Sequence, residues 1–318
     1  MKSGSVLTLG TFDGVHRGHQ SLLKKVLSYS RELNLKSIAL TFSQPPRLYF
    51  SPSSEPYLLS TVEEKKVLLK NEGIDKVVIL NFNRSLSLMT AKVFFEDFIL
   101  KKYRARAIIL GYNFCFGKDR QGDISFLKNE AGKAGINVDR IPPLKAGKLP
   151  ISSGRIRNAL KEGNLSLANT LLGHPYLAIG KVIKGSGIGK SFGFPTANLE
   201  VDPLKILPLG VFAVKVTHPH WKNPLVGMCN VGVRPTLRSE KEIRDVKEIR
   251  DGALFVRANR APSLISFEVH LLNFKGDLYG QSLSVQFIKK LRAEKKFNSL
   301  QELKVQLNKD REQTLLVS

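Results

Sequence analysis

Residues 7–20 read LTLGTFDGVHRGHQ. A short apolar strand over residues 6–9 runs into a turn holding Gly10 and Gly14, then into His16-Arg17-Gly18-His19. Leu22, Leu23, Val26, Leu27 and Leu33 follow near helical spacing, so both histidines fall at the start of the first helix. A helix start offers unpaired N–H groups and the positive end of the helix dipole, and both attract phosphate. Two imidazoles three residues apart share a face there, and Gly18 between them has no side chain to hold a ligand away.

Working outward, strand-like runs recur at residues 37–42 (SIALTF), 77–82 (VVILNF) and 107–111 (AIILG), with a short strand near Val138. Thr61-Val62-Glu63-Glu64 is a capping box opening a helix to about Asn71. Residues 90–103 read as a helix with Val93, Phe94, Phe98 and Ile99 on its apolar face, and another helix ends near Gly135. Strands alternating with helices imply an α/β, doubly wound, mainly parallel sheet. Such sheets bind ligands at the carboxyl ends of their strands. The loops 10–19, 43–47, 111–123 and 151–157 all fall at or near such ends. The last begins ISSGRIR, where Ser152, Ser153, Arg155 and Arg157 at a helix start form a second phosphate clamp, since the guanidinium fork suits phosphate oxygens.

Near residues 171–175 the pattern changes to short strands and Gly-rich turns. Candidate strands at 178–183, 210–217, 225–231, 266–272 and 282–287 point to a small antiparallel β-barrel. Ser299-Leu300-Gln301-Glu302 caps a closing helix carrying Leu300, Leu303 and Leu307. The expected division is therefore 1–174 and 175–318. Residues 185–191, GSGIGKS, look like a P-loop but lack its spacing, and Phe192-Gly193-Phe194-Pro195 argues against the helix that should follow. A Gly-rich flap over phosphates, with Gly185, Gly187 and Lys190, fits better. Residues 238–263 are polar and repeat KEIRD at 241–245 and 247–251, which reads as a solvated insertion without chemistry.

The chain has 318 residues, 42% hydrophobic and 24% charged, values of an ordinary globular protein. No apolar run approaches the roughly 20 residues that span a bilayer, and MKSGSVLTLG, running straight into a polar turn signal, leads to the expectation of no signal peptide. Cys115 and Cys229 are far apart and show no metal-ligand spacing, which fits a reducing cytoplasm. The net charge of +23 suits anionic ligands. The basic residues are spread along the chain with no aromatic-basic motif, so neither a stable nucleic-acid partner nor a membrane partner is expected. A competing reading, motivated by that charge, is a basic RNA-binding protein on an enzyme scaffold; another is a chain with one active half.

GTFDGVHRGHQ resembles the HxGH nucleotidylyltransferases, which cleave a nucleoside triphosphate between its α and β phosphates. Residues 180–201 (GKVIKGSGIGKSFGFPTANLEV), 227–236 (GMCNVGVRPT) and 267–299 look like a riboflavin kinase barrel, with GFPTAN the most specific string. Together the halves resemble the bacterial bifunctional riboflavin kinase/FMN adenylyltransferase family. The resemblance implies phosphorylation of riboflavin to FMN, then adenylylation of FMN to FAD with release of pyrophosphate, using ATP and Mg²⁺. In the first half it implies ATP and phosphate contacts from Gly10, Thr11, Phe12 and Gly18, catalytic roles for His16 and His19, and a flavin or nucleotide contact from Asn113. In the second half it implies Glu268 as the base, Thr196 and Asn198 as Mg²⁺ and phosphate contacts, and Arg292 as a flavin or nucleotide contact. The chain departs from the family at Ser43-Gln44-Pro45-Pro46, Gly154, Lys190 and Asn273. The two chemistries differ: a phosphomonoester, with a second pKa of about 6, is an ionised nucleophile at neutral pH, whereas a ribityl hydroxyl benefits from a base.

Overall fold

The computed structural model describes residues 4–185, 189, 193–233 and 265–317. Gly187, Lys190 and the KEIRD repeat lie outside these residues. The described chain divides into two compact units. The first runs to Ile179 and takes in Leu204–Ile206; the second comprises Gly180–Pro203 and the chain from Leu207 onward.

The first unit contains, in chain order, β1 (Ser5–Leu9), α1 (Arg17–Leu33), β2 (Lys36–Phe42), α2 (Pro46–Phe50), α3 (Val62–Asn71), β3 (Lys76–Leu80), α4 (Arg84–Leu88) and α5 (Ala91–Phe94). After a π-helical turn come β4 (Ala105–Gly111), α6 (Ile124–Lys133), β5 (Asn137–Ile141), the short hairpin β6 (Lys145–Ala146) and β7 (Leu149–Pro150), α7 (Ser153–Lys161) and α8 (Leu165–Leu172). The sheet order is β3-β2-β1-β4-β5, and every pairing in it is parallel. A parallel strand covered on both faces needs a continuous apolar run, and all five residues of β1 are buried. Val6 joins Leu22, Leu23, Val26 and Leu69 in one core cluster. Leu7 and Leu9 join Phe94, Phe95, Ile99 and Leu127 in the other. Because β2 lies on one side of β1 and β4 on the other, the winding reverses at the carboxyl end of β1, where a crevice opens.

The helix expected over 90–103 is present over residues 91–102, but its second part is not α-helical and Val93, expected on the apolar face, is exposed. Thr90 caps α5 by accepting from Val93 N–H, but from Phe95 to Lys102 the chain widens into a π-helix. The wider turn seats Phe95 and Ile99 in the core while Phe94 and Phe98 stack at 4.9 Å. Segment Leu204–Ile206 is pinned within this unit by Lys205, whose Nζ donates to the carbonyls of Leu59 and Leu177 and pairs with Glu64 at 2.7 Å. Both charged side chains are wholly buried. A pair so placed is tolerable because its hydrogen bonds are satisfied. Glu64 also closes the capping box with Thr61 and accepts from Ile179 N–H.

The second unit is a closed six-stranded barrel. The barrel strands are β8 (Tyr176–Ile183, whose residues from Gly180 onward fall in this unit), β9 (Ala197–Glu200), β10 (Gly210–Thr217), β11 (Leu225–Val233), β12 (Ile265–Leu271) and β13 (Ser282–Arg292), in the order β10-β11-β12-β9-β8-β13. Alternation along β12 sends Phe267 and Val269 into the core, where Phe267 stacks on Phe287 and Phe287 meets Phe212 edge-on. The closing helix α9 (Leu300–Val317) is present, but Leu300 is 60% exposed and the buried residues of the helix are Asp310 and Thr314. Polar burial wins there because Arg292 at the end of β13 donates from Nε and Nη2 to the Asp310 carboxylate.

Candidate active sites

The loop after β1 is bent into conformations that side chains disfavour. Phe12 and Val15 have φ of 45° and 39°, and Gly14 has φ of 79°. Positive φ is a genuine outlier for a β-branched residue such as Val15; each such residue costs about 1–3 kcal/mol and persists only where its surroundings impose it. They do so here. Asp13, 1% exposed, accepts through Oδ1 from the N–H groups of Leu59 at 3.0 Å and Ser60 at 2.9 Å. Its Oδ2 takes Arg157. Ser60 Oγ accepts from Gly14 N–H, Ser153 Oγ donates to the Asp13 carbonyl at 3.0 Å, and Gln20 donates to the Val15 carbonyl.

The bend delivers His16 to the N-cap of α1, where its Nδ1 accepts from His19 N–H at 3.4 Å. The proton of a neutral His16 then sits on Nε2, which is a donor. The two imidazoles stack with centroids 3.7 Å apart, and Phe12 meets His19 edge-on. Burial pushes His16 down to about 4, with Asp13 opposing and Arg157 and His174 assisting. Burial, followed by His16 and Lys65, holds His19 well below the ordinary imidazole value, and its buried Nδ1 has no hydrogen-bond partner among the described residues. Both rings are therefore neutral donors at neutral pH.

The starts of α1 and α7 meet. A Cβ on Gly18 would lie 3.7 Å from the Ile151 carbonyl, an ordinary contact, but only 3.1 Å from the His16 ring, so the glycine leaves room for that imidazole. Ser152 caps α7 through Arg155 N–H. The arginines of the expected clamp are partly engaged within the protein. Arg155 Nη1 donates to the carbonyls of Leu149 and Pro150, each at 3.0 Å. Arg157 Nε donates to the Tyr57 carbonyl, and its guanidinium lies 3.9 Å from the Tyr57 ring centroid. Gly10 N–H reaches the Leu40 carbonyl and Thr11 accepts from Thr41 Oγ1, which joins this loop to the end of β2. Asn113 is exposed in the turn after β4.

In the second unit a cleft of about 370 Å³ is lined by Thr196, Asn230, Glu268, His270, Arg292 and Asp310 among others. Glu268 on β12 stands opposite Asn198 on β9 and Asn230 on β11, which makes a polar row across three strands. His270 donates from Nδ1 to the Pro195 carbonyl at 2.8 Å, which fixes the ring beside Phe194. Gly185 approaches Asn198 so closely that a Cβ would overlap its side-chain nitrogen at 1.9 Å. Gly189 likewise packs on the Phe194 carbonyl. Burial first, then the Glu268 carboxylate, raises the Cys229 thiol well above its ordinary value, so it stays protonated and inert.

Residues 1–155 match the FAD synthetase family and residues 172–317 the riboflavin kinase family. The bifunctional riboflavin kinase/FMN adenylyltransferase of Escherichia coli K12 is 36% identical over 97% of this chain and 91% of its own length. That of Pseudomonas fluorescens is 34% identical over 96% and 91%. This chain belongs to the bifunctional riboflavin kinase/FMN adenylyltransferase family. Its first half is an FAD synthetase and its second a riboflavin kinase, with ATP as co-substrate of both, riboflavin and FMN as acceptors and FAD as the final product. A crystal structure described as a macrolide-efflux protein from Streptococcus pneumoniae is 31% identical, with a TM-score of 0.80 over 100% of this chain and 96% of that one. No helix among the described residues of this enzyme is long and apolar enough to cross a membrane.

Sequence reasoning did not single out Asp13, Lys65, His270 or Asp310. Asp13 stood inside the quoted string, and its only signal was a carboxylate within a turn otherwise destined for burial. Lys65 and Asp310 carried the opposite signal, since charged residues on helices are ordinarily solvated.

Proposed function

We propose that residues 1–174 transfer the adenylyl group and residues 175–318 the phosphoryl group, each with the residues described above. Neutral His16 and His19, the N–H groups at the starts of α1 and α7, Ser152, Ser153 and the remaining donors of Arg155 and Arg157 hold the triphosphate in line for the ionised FMN phosphate. Gly10, Thr11, Phe12 and Gly18 shape that cradle, and Asn113 contacts the nucleotide or flavin. No base is needed, because the nucleophile arrives ionised.

In the second half Glu268 accepts the proton of the ribityl hydroxyl as it attacks the terminal phosphate of ATP. Arg292, held by Asp310, orients flavin or nucleotide, and Gly185, Gly187 and Lys190 belong to the phosphate flap. The donor set fits a hard cation: the Thr196 hydroxyl, the Asn198 carboxamide and the nearby Glu268 carboxylate are oxygen ligands of the kind Mg²⁺ takes. When bound, Mg²⁺ neutralises phosphate charge. No group of three or more His, Cys, Asp or Glu is poised as a metal site among the described residues, and oxygens of the substrate phosphates would be the further ligands such an ion takes. The cytoplasm, where ATP is supplied, is the compartment this reading requires.

The observation that carries the reading is the stacked His16/His19 pair at two converging helix starts on the switch point of the sheet. Chromatographic assay of FMN and FAD tests it. His16→Ala and His19→Ala should lower FAD formation by about 10²–10³ while FMN formation persists. Glu268→Gln should lower FMN formation by about 10²–10⁴ and still convert supplied FMN. Parental FAD formation by both histidine variants, or parental FMN formation by Glu268→Gln, would refute the corresponding assignment.

A further inference from the structure

Lys65 on α3 is 2% exposed, and among the described residues it forms no ion pair. Its ammonium has three donors, yet there it makes one hydrogen bond, to the Phe42 carbonyl at 2.8 Å. A buried cation with one neutral partner is costly unless something negative completes its shell. Lys205, buried to the same degree, shows the alternative, with two carbonyls and the Glu64 carboxylate around it. Lys65 lacks such company.

Its location says what should complete it. Three consecutive residues at the carboxyl end of β2 each make one link. Leu40 accepts from Gly10 N–H, Thr41 donates to the Thr11 carbonyl, and Phe42 accepts from Lys65. Lys65 is thereby tied to the rim of the crevice that the β1 loop occupies, on the side of the sheet where Phe12 and α1 pack. We propose that Lys65 is a phosphate-binding residue of the adenylyl-transfer site, its two free N–H groups taking oxygens of a substrate phosphate. That phosphate belongs either to the ATP triphosphate or to FMN. Burial lowers the ammonium to about 8 while Asp13 pulls it back, as expected of a cation beside the loop with its shell incomplete. The inference rests on the adenylyl-transfer reading of His16 and His19.

The test is steady-state FAD formation by the full chain from supplied FMN and ATP, comparing parent, Lys65→Met and Lys65→Gln. Glutamine keeps a donor for the Phe42 carbonyl but carries no charge. A lost charge-assisted contact predicts a fall in kcat/KM of about 10- to 100-fold in both variants, with FMN formation by the other half unchanged. A rise in the KM of ATP assigns the triphosphate; a rise in the KM of FMN assigns the flavin phosphate. FAD formation within threefold of the parent in Lys65→Met overturns the inference. So does parental activity in Lys65→Gln alone, which makes the residue a strut. If Lys65→Met does not fold, Lys65→Gln decides, and failure of both to fold also overturns the inference. Parental FAD formation by His16→Ala and His19→Ala sinks the underlying reading, whereas parental formation by the Lys65 variants alone sinks only this one.

Discussion

Replacing Asp13 by Asn keeps the shape of the side chain and removes the charge that organises the β1 loop. Asparagine Oδ1 can still accept from Leu59 and Ser60 N–H, but its amide then faces the Arg157 guanidinium, donor against donor. Removing one partner of a buried ion pair costs about 3–5 kcal/mol. Arg157 keeps the Tyr57 carbonyl at 2.8 Å and its ring, and its side chain is 13% exposed, so the loss should fall lower, about 2–3 kcal/mol. In a unit of this size about 1 kcal/mol moves the unfolding midpoint by 2–4 °C, so a drop of roughly 5–10 °C is expected. The second consequence concerns strain. Phe12 and Val15 hold positive φ because Asp13 ties the turn between them to residues 59 and 60. With that tie weakened the turn relaxes and displaces His16, and misplacement by about 1 Å can cost 10²-fold in rate. The assay is a thermal scan of the first unit with parallel FAD and FMN measurements. A parental midpoint together with parental FAD formation would refute the network; loss of FMN formation as well would show that the effect is not confined to this unit.

Two further outcomes follow from other contacts. Burial depresses His16 to about 4 from 6.5 and lowers His19 as well, so as pH falls the unfolded chain binds protons first. Stability from these groups is complete above about 6.5 and is lost toward pH 4 at up to about 1.4 kcal/mol per pH unit for each histidine. Asp13, Arg157 and His174 act on His16, and His16 and Lys65 on His19. Denaturant unfolding between pH 4.5 and 7.5 should show a shallower slope for His16→Gln/His19→Gln than for the parent, and equal slopes would exclude this origin. In the barrel, Gly227 lies so close to β12 that a Cβ would sit 2.6 Å from the His270 carbonyl. Gly227→Ala should therefore force β11 from β12, cost about 1–3 kcal/mol and lower FMN formation, with conversion of supplied FMN retained. An unchanged barrel midpoint and rate would show that the strands adjust freely.

The sheet was legible because parallel strands buried on both faces have to be apolar runs, and SVLTL, SIALTF and AIILG leave few other readings. The HxGH turn was legible because its glycines and histidines are ordered along the chain. What escaped notice depends on partners distant in sequence. The π-helix after α5 has no pattern of its own; Phe94, Phe95, Phe98 and Ile99 suit an α-helical stripe until tertiary packing widens the turn. β9 is four residues, ANLE, too short to show alternation, and it becomes a strand by pairing with β8 and β12. α9 misled because its buried residues are the polar Asp310 and Thr314, and Asp310 is paired by Arg292, which arrives from β13. ISSGRIR announced two free guanidiniums, whereas folding sets both against backbone carbonyls before any ligand comes.

The two sites solve opposite problems, and their residues would not exchange. In the first, the nucleophile and the triphosphate are both anions, so the work is to bring like charges together. On the proposed reading neutral imidazoles, helix starts and guanidiniums do this, and Asp13 spends its charge on Arg157 and on backbone N–H groups 59 and 60. A second carboxylate free in that crevice would repel both substrates. In the second, the nucleophile is a neutral hydroxyl, and a carboxylate is what lowers the barrier to its attack. As the proposed base, Glu268 has the amides Asn198 and Asn230 rather than cations as cross-strand neighbours, while Arg292 is held by Asp310. A cation paired with Glu268 would hold the carboxylate ionised and make it a poorer proton acceptor.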